Sequence, residues 1–396
     1  MNDPVKIILK SGKDQSLKRY HPWIFSGAIK KMHGTPAEGD LVQVYSNRDE
    51  FLGAGHYQDS SIAVRILSFT DREIGETFYE NRIREAVASR RGLGFLGHPD
   101  TNVFRLVNAE GDGLPGLIVD YYDGTAVLQC HSIGMHRNRE HLVRGLQEAL
   151  GDRLSAVYDK SSSALPSMYS SGHTDAYLIG ESRPLEVLEY GKRFAVDPEK
   201  GQKTGFFIDQ RENRQLLGEY SREKRVLNVF GYTGGFSVYA RSGGAELVHT
   251  VDSSGHAVEL SERNMELNFG GDHRHKGYIA DAFRFLESAH DDYDLVILDP
   301  PAFAKHHHVL HKALQGYKRL NAMALKMIRP GGILFTFSCS QAVSRENFRK
   351  SVFTASANTG RRVRILHQMS QPADHPVSIY HPEGEYLKGL VLQVHE

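Results

Sequence analysis

The sequence predicts an α/β protein in which residues 191–396 form a doubly wound, seven-stranded, mostly parallel sheet. A β-rich module at 1–72 and a small α+β region at 73–190 precede it. Three observations carry this expectation. Val226 to Phe230 reads as a buried strand, breaks at Gly231-Tyr232-Thr233-Gly234-Gly235, and is followed by an apolar-periodic helix from Phe236 to Arg241. Further apolar runs at Leu247–Val251, Lys276–Ala280, Asp294–Leu298 and Gly332–Phe337 continue the alternation of strand and helix. These runs end at Asp252, Asp281, Asp299-Pro300-Pro301 and Ser338-Cys339-Ser340, and open α/β sheets bind ligands at the carboxyl ends of their strands. A single aspartate in such a place is explained by helix capping; a series of them is better explained by a site.

The 396 residues suffice for two or three domains. Lys plus Arg and Asp plus Glu number 48 each, so no global charge advertises a nucleic-acid partner, although a local basic patch stays open. No apolar run approaches membrane-spanning length, and Met1-Asn2-Asp3-Pro4-Val5-Lys6 lacks a signal-peptide pattern, so no membrane partner is expected. Two cysteines, Cys130 and Cys339, cannot make a disulfide framework; a reducing cytoplasm is the expected compartment.

Along the chain, Val5–Leu9, Leu41–Tyr45, Phe51–Tyr57 and Ile62–Phe69 read as strands between Gly and Asp turns. Cations and aromatics interleave in Leu17-Lys18-Arg19-Tyr20-His21-Pro22-Trp23-Ile24-Phe25, a mixture that suits RNA phosphates and unpaired bases. Local sequence leans instead to a helix whose Trp23 and Phe25 fill a small core. A charged helix follows from Glu73 to Arg91, then strands Val103–Asn108 and Gly116–Tyr121 around a tight turn at Glu110–Pro115. Thr125–His131 and Ala156–Asp159 are strands flanking a helix at Asn138–Leu150, and Cys130 is a small core residue. Phe194–Val196 and Phe206–Ile208 are expected to pair around Pro198-Glu199-Lys200-Gly201, leading through Asp209-Gln210-Arg211 into a helix toward Tyr220. Val363–Gln368 and Gly389–Val394 supply late strands, the last closing the sheet edge.

The glycine turn lacks the Lys-Ser/Thr of a P-loop and the spaced third glycine of a dinucleotide fingerprint. A ligand with ribose and adenine but no pyrophosphate fits, which is S-adenosylmethionine. Asp252 would accept from the ribose hydroxyls and Asp281 from the adenine amine, with the turn close to the methionine portion. Cys339 beside Asp299 suggests methylation of a pyrimidine at carbon 5, which becomes nucleophilic once a thiolate adds to carbon 6. Asp299 would hydrogen-bond the base edge, on a loop stiffened by Pro300 and Pro301. A purely structural Cys339 leaves a guanine methyltransferase as the alternative. A non-catalytic RNA-binding module and an oxidoreductase are the other classes considered. Lys305-His306-His307-His308 with His311 invites a zinc reading, but consecutive histidines point apart and no partner has ligand spacing, so no metal is expected.

Several of these stretches resemble a known family. The carriers are His21-Pro22-Trp23-Ile24-Phe25-Ser26-Gly27-Ala28-Ile29, Glu110-Gly111-Asp112-Gly113-Leu114-Pro115-Gly116-Leu117 and Thr204-Gly205-Phe206-Phe207-Ile208-Asp209-Gln210-Arg211. They continue with Asn228-Val229-Phe230-Gly231-Tyr232-Thr233-Gly234, Asp299-Pro300-Pro301-Ala302-Phe303-Ala304-Lys305 and Ser338-Cys339-Ser340. In this order they resemble the ribosomal-RNA large-subunit methyltransferase I-like family, bacterial enzymes that make 5-methylcytosine, over nearly the whole chain. The resemblance implies an N-terminal PUA domain, a small central domain and a Rossmann-like class I methyltransferase domain. It implies Cys339 as nucleophile and Asp299 on the base. The implied cofactor set is Asp209, Arg211, Asn228, Phe230, Gly231, Tyr232, Thr233, Gly234, Asp252, Ser253, Asp281 and Ala282. Substrate contacts would come from Pro300, Pro301 and Lys305, and from Lys18, Arg19 and Trp23, with large-subunit rRNA as the partner. Members of the family are often dimers, so a homodimer is also an expectation.

Overall fold

The second half of the chain builds one sheet of seven strands. In a computed structural model, which describes residues 4–71, 73–288, 293–303 and 309–396, these are β1 (Arg225–Val229), β2 (Leu247–Asp252), β3 (His275–Ile279) and β4 (Tyr293–Leu298). They are joined by β5 (Ile328–Ser338), β6 (Val363–Met369) and β7 (Lys388–Val394). Their spatial order is β3-β2-β1-β4-β5-β7-β6. The first five run parallel, and β7 is antiparallel to both neighbours. The order reverses between β1 and β4, the switch point at which such sheets open a ligand crevice.

Among the described residues six helices flank the strands: α1 (Arg211–Tyr220), α2 (Gly235–Ser242), α3 (Gly255–Phe269), α4 (Ala282–Ser288), α5 (Leu310–Met327) and α6 (Arg345–Thr359). Strand side chains alternate between two cores. Leu227, Val229, Val296 and Leu298 pack with Leu286, Tyr317, Leu320, Phe348 and Val352 from α4, α5 and α6. Val226, Leu295 and Ile297 pack with Leu217, Phe236 and Ala240 from α1 and α2. Apolar residues at successive positions are therefore what a strand covered on both faces requires, and each such side chain contributes about 1.5–3 kcal/mol by leaving water.

Two expectations need correction here. The sheet edge is β6, and β7 is inserted between β5 and β6. Burial explains it: β7 is almost wholly covered, whereas β6 exposes Arg364, Ile365 and Leu366 and reads as a rim strand. The expected pairing of Phe194–Val196 with Phe206–Ile208 does not form. Lys192–Val196 pairs with Leu185–Glu189 through Tyr190-Gly191, both at positive φ, and Ile208–Gln210 is a 3₁₀ turn.

The chain divides into two compact units. This sheet belongs to the unit of Glu186–Ala195, Phe207–Pro372 and Glu385–Glu396; the other comprises Met1–Leu185, Val196–Phe206 and Ala373–Gly384. The latter holds a six-stranded sheet of Val5–Leu9, Trp23–Phe25, Ile29–His33, Leu41–Tyr45, Phe51–Tyr57 and Ile62–Ser68. The helix expected around Trp23 and Phe25 is replaced by a short strand paired with Ile62–Ser68, preceded by one 3₁₀ turn at Leu17–Arg19. Phe25 does not fill a core but is half exposed. The same unit holds a five-stranded sheet made of Val103–Asn108, Leu117–Tyr122, Thr125–Cys130, Ala156–Asp159 and Ala176–Ile179. Helices Glu76–Gly92 and Arg139–Leu150 belong with it.

The late segment Ala373–Gly384 is stitched into this unit by buried polar bonds. The Arg90 guanidinium, fully buried, donates to Asp112 Oδ1 at 2.6 Å and to the Asp374 carbonyl at 2.9 Å. Asp374 Oδ2 accepts from Arg105 N, and the Pro376 carbonyl accepts from Asn108 Nδ2, both at 2.9 Å. A Cβ at position 111 would lie 1.9 Å from the Pro376 oxygen, which leaves glycine alone able to sit there.

Candidate active site

Between β1 and α2 the backbone itself is shaped. Phe230, Tyr232 and Gly234 all have positive φ, at 63°, 45° and 74°. For the two aromatic residues that conformation costs about 1–3 kcal/mol each, so the loop persists only because its surroundings hold it. Asp252, at the end of β2, supplies part of that hold: Oδ2 accepts from Tyr232 N at 3.0 Å and Oδ1 from Ser254 N at 2.9 Å. Gly231 is required because a Cβ there would meet Thr250 Cγ2 at 2.3 Å; one at Gly234 would meet Ser261 Oγ at 2.4 Å. The Thr233 carbonyl accepts from Asn264 Nδ2 at 2.8 Å, and the Tyr232 ring meets Phe207 edge to face at 5.0 Å.

Asn228 lies beneath the loop, fully buried. Its Nδ2 donates to Ser237 Oγ at 2.9 Å, which is 2.6 Å from Thr250 Oγ1, so β1, α2 and β2 are tied together. Ser253 is exposed beyond β2. Asp281 is exposed and caps α4, its Oδ1 accepting from Arg284 N at 3.0 Å, while Ala282 is buried. Asp209 is buried with Oδ2 accepting from Tyr386 Oη at 2.7 Å; Arg211 is fully buried with Nε 3.4 Å from Glu212 Oε1. The turn before them is clamped by Arg214, which donates to the Phe207 carbonyl and to both carboxylate oxygens of buried Glu189.

Across the switch point, side chains converge. Asp299 follows β4, and its Oδ2 accepts from Gln210 Nε2 at 3.0 Å; Gln210 Oε1 in turn accepts from Asn213 Nδ2 at 2.6 Å. Cys339 follows β5, the neighbour of β4, with its Sγ 3.8 Å from the Pro300 carbonyl oxygen, a weak hydrogen bond that the sulfur makes only when protonated. Pro300 is buried and Pro301 exposed. Buried Ser338 donates to Tyr317 Oη at 2.9 Å, and Tyr317 Oη lies 3.0 Å from Ser340 Oγ, so both neighbours of the thiol are fixed to α5. Burial raises the Tyr317 pKa, keeping the phenol neutral. Lys388 Nζ donates to the Ser340 carbonyl at 2.7 Å. The sequence-derived set included neither Gln210, Tyr317, Tyr386 nor Lys388. Each reaches the site from a remote segment, and only Gln210, inside a quoted stretch, carried a local signal. Lys305 and the histidines at 306–308 fall outside the described residues.

Lys18, Arg19 and Trp23 belong to the other unit. Lys18 Nζ lies 2.8 Å from Asp14 and 3.1 Å from Glu50, Arg19 is exposed, and Trp23 Nε1 donates to Glu110 Oε1 at 2.8 Å. His21, His381 and Glu383 gather there with potential ligand atoms within 4.8 Å of one another. His21 Nδ1 accepts from Trp23 N at 3.2 Å, which leaves its proton on Nε2 facing Glu383 Oε2 at 3.3 Å. That arrangement is a hydrogen bond rather than a lone pair offered to a cation.

The donor set suits a nucleoside-bearing ligand without pyrophosphate: carboxylates end adjacent strands, and no cationic side chain stands in the glycine loop. A model of S-adenosylmethionine-dependent methyltransferases matches residues 116–378, and a PUA-like domain model matches residues 7–69. The ribosomal RNA large subunit methyltransferase I of Tolumonas auensis is 38% identical over 395 residues, covering 98% of each chain. A solved methyltransferase from Streptococcus mutans shares the fold with a TM-score of 0.85 at 23% identity, over 98% of this chain and 99% of that one. A methyltransferase solved in complex with SAH aligns with the same TM-score and coverage at 24% identity. The cofactor is S-adenosylmethionine. The chain belongs to the family of S-adenosylmethionine-dependent methyltransferases that includes the ribosomal RNA large subunit methyltransferase I proteins.

Proposed function

We propose that the protein methylates carbon 5 of a cytosine in large-subunit ribosomal RNA. The observation that carries the chemistry is a thiol at the end of β5, 3.8 Å from the Pro300 carbonyl in the loop that begins with Asp299. The names of the relatives support ribosomal RNA as the substrate. In this reading residues 1–72 grip RNA through Lys18, Arg19 and Trp23, residues 73–190 form the central domain, and residues 191–396 perform the reaction in the cytoplasm.

The Cys339 thiolate adds to carbon 6 of the ring, and the displaced electron pair accumulates at carbon 5. Asp299, steered by Gln210, accepts hydrogen bonds from the amino edge of the base and keeps the ring flat against Pro300 and Pro301. The bound cofactor supplies an electrophilic methyl group on sulfonium. Asp252 and Asp281 would hold its ribose and adenine, with the loop of Phe230 to Gly234 near its methionine end and Asp209 and Arg211 closing over it. Loss of the carbon 5 proton to a base then restores the double bond and expels the thiolate.

The test is Cys339→Ala against wild type with labelled S-adenosylmethionine and unmodified rRNA, followed by nucleoside analysis. The reading expects 5-methylcytidine from wild type and none from the variant, with cofactor affinity retained. Undiminished methylation by the variant, or label recovered on guanosine, would overturn it.

A further inference from the structure

We propose that Lys388 is the counter-charge that holds the sulfur of Cys339 as a thiolate, a positioning residue for the nucleophile rather than a packing residue of the sheet. The inference rests on the reading of Cys339 as nucleophile and adds to it the group that makes the sulfur reactive.

Topology brings the two together. Because β7 runs antiparallel to β5, its first residue arrives at the carboxyl end of the parallel strands, and Lys388 is the register partner of Ser338. The side chain is only 4% exposed. Its Nζ reaches the Ser340 carbonyl at 2.7 Å, so the ammonium is fastened to the residue that follows the thiol. Buried ammonium groups are costly unless paired, and among the described residues no carboxylate lies within ion-pair distance of Lys388.

The charged and titratable groups facing the pair are few. Cys339 acts on Lys388 from the turn after β5, Arg345 from α6 and Glu385 from the segment just before β7. Glu385 is itself 3.7 Å from Arg345 and largely exposed. Tyr317 faces the thiol from α5 as a neutral phenol. Burial pulls the Lys388 pKa down to about 8, while negative charge on Cys339 pushes it up. The thiolate is thus the partner that completes the environment of the lysine.

The arrangement serves both ends of the reaction. Before addition, Lys388 stabilises the negative sulfur; addition to carbon 6 removes that charge into the ring. On elimination the C–S bond breaks, the electron pair returns to sulfur, and the same ammonium stabilises the thiolate that forms. A lysine that only braced the Ser340 carbonyl would influence neither step.

The experiment is the rate of iodoacetamide alkylation at Cys339 in the full-length protein between pH 5 and 10, read on the Cys339 peptide by mass spectrometry. Wild type is compared with Lys388→Gln, which keeps a donor for Ser340 but no charge, and with Lys388→Arg. Wild type is expected to titrate below the ordinary thiol value of about 8.5. Lys388→Gln is expected to raise the midpoint by about one pH unit and slow methyl transfer at pH 7 about tenfold, with the cofactor KM unchanged. Lys388→Arg should restore both. Superposable profiles for wild type and Lys388→Gln would overturn the proposal. If Lys388→Gln does not fold, the wild-type midpoint decides: below about 8.5 supports the pair, and at or above it sinks it. Failure of the nucleophile reading is a separate outcome, since methylation by Cys339→Ala would reject that reading while the alkylation profile still reports on the lysine.

Discussion

At the ends of β1 and β2 the site is a matter of backbone: three left-handed residues, two glycines without room for a Cβ, and Asp252 fastened to main-chain N–H groups. At the ends of β4 and β5 it is a matter of side chains. Gln210 steers Asp299, Tyr317 fixes the serines flanking Cys339, and Lys388 grips the carbonyl beyond it. The difference fits what each half would hold in the proposed reaction. A cofactor is the same at every turnover and can be met by fixed shape. A reacting base needs charges and hydrogen bonds tuned to an intermediate, which only side chains supply.

Gly231→Val attacks the backbone half hardest. Its Cβ would start 2.3 Å from Thr250 Cγ2, so the loop must shift. We expect cofactor binding to vanish in calorimetry and about 3 kcal/mol of stability to be lost in denaturant melts. Gln210→Ala attacks the side-chain half. Freed of its 3.0 Å donor, Asp299 loses its aim, and kcat should fall about 100-fold while cofactor affinity stays put. A loss of affinity instead would blur the division between the halves.

Lys388 also makes the side-chain half sensitive to alkali. Its pKa lies near 8 when folded and about 10.4 when unfolded, so the unfolded chain binds more protons between those values. The cost of burying the charge is full below pH 8 and is relieved as pH rises. Wild type should therefore gain about 1.5 kcal/mol relative to Lys388→Gln between about pH 8 and 9.5 in melts at matched salt. The smallest effect is expected from Asp252→Asn, which keeps one acceptor but turns an amide donor toward a backbone N–H. Cofactor affinity should drop about tenfold with kcat nearly unchanged, checked by titration calorimetry and saturation kinetics.

The same contrast explains what the sequence discloses. The run from Arg225 to Ser242 is contiguous, so strand, loop and helix declare themselves by period and glycine placement. The central strands β4 and β5 are equally readable, because burial on both faces demands apolar runs, whereas β3, at the far edge of the sheet, has no fully buried residue. Lys388 announces nothing locally, and the stretch that contains Gln210 does not disclose its partner; Gln210 meets Asp299 across 89 positions and Lys388 meets Ser340 across 48. The misplaced edge strand had a visible cue in Arg364 and His367, which interrupt β6 while β7 keeps an apolar run from Leu390 to Leu392. The misplaced hairpin turned on Tyr190-Gly191, where a non-glycine residue takes positive φ and hides the turn from composition.

The stitching of Ala373–Gly384 into the first unit has a consequence for the order in which the protein can come into being. Arg90 and Arg105 leave the ribosome early, yet the Asp374 groups that satisfy them lie 284 and 269 positions downstream. Until then a guanidinium destined for full burial lacks one of its partners, and only after supplying it does the chain turn back to lay down β7. The N-terminal product of an interrupted translation would thus lack the Asp374 and Pro376 partners of Arg90, Arg105 and Asn108. The first unit can therefore fully satisfy Arg90 and Arg105 only once residues 373–384 have been made.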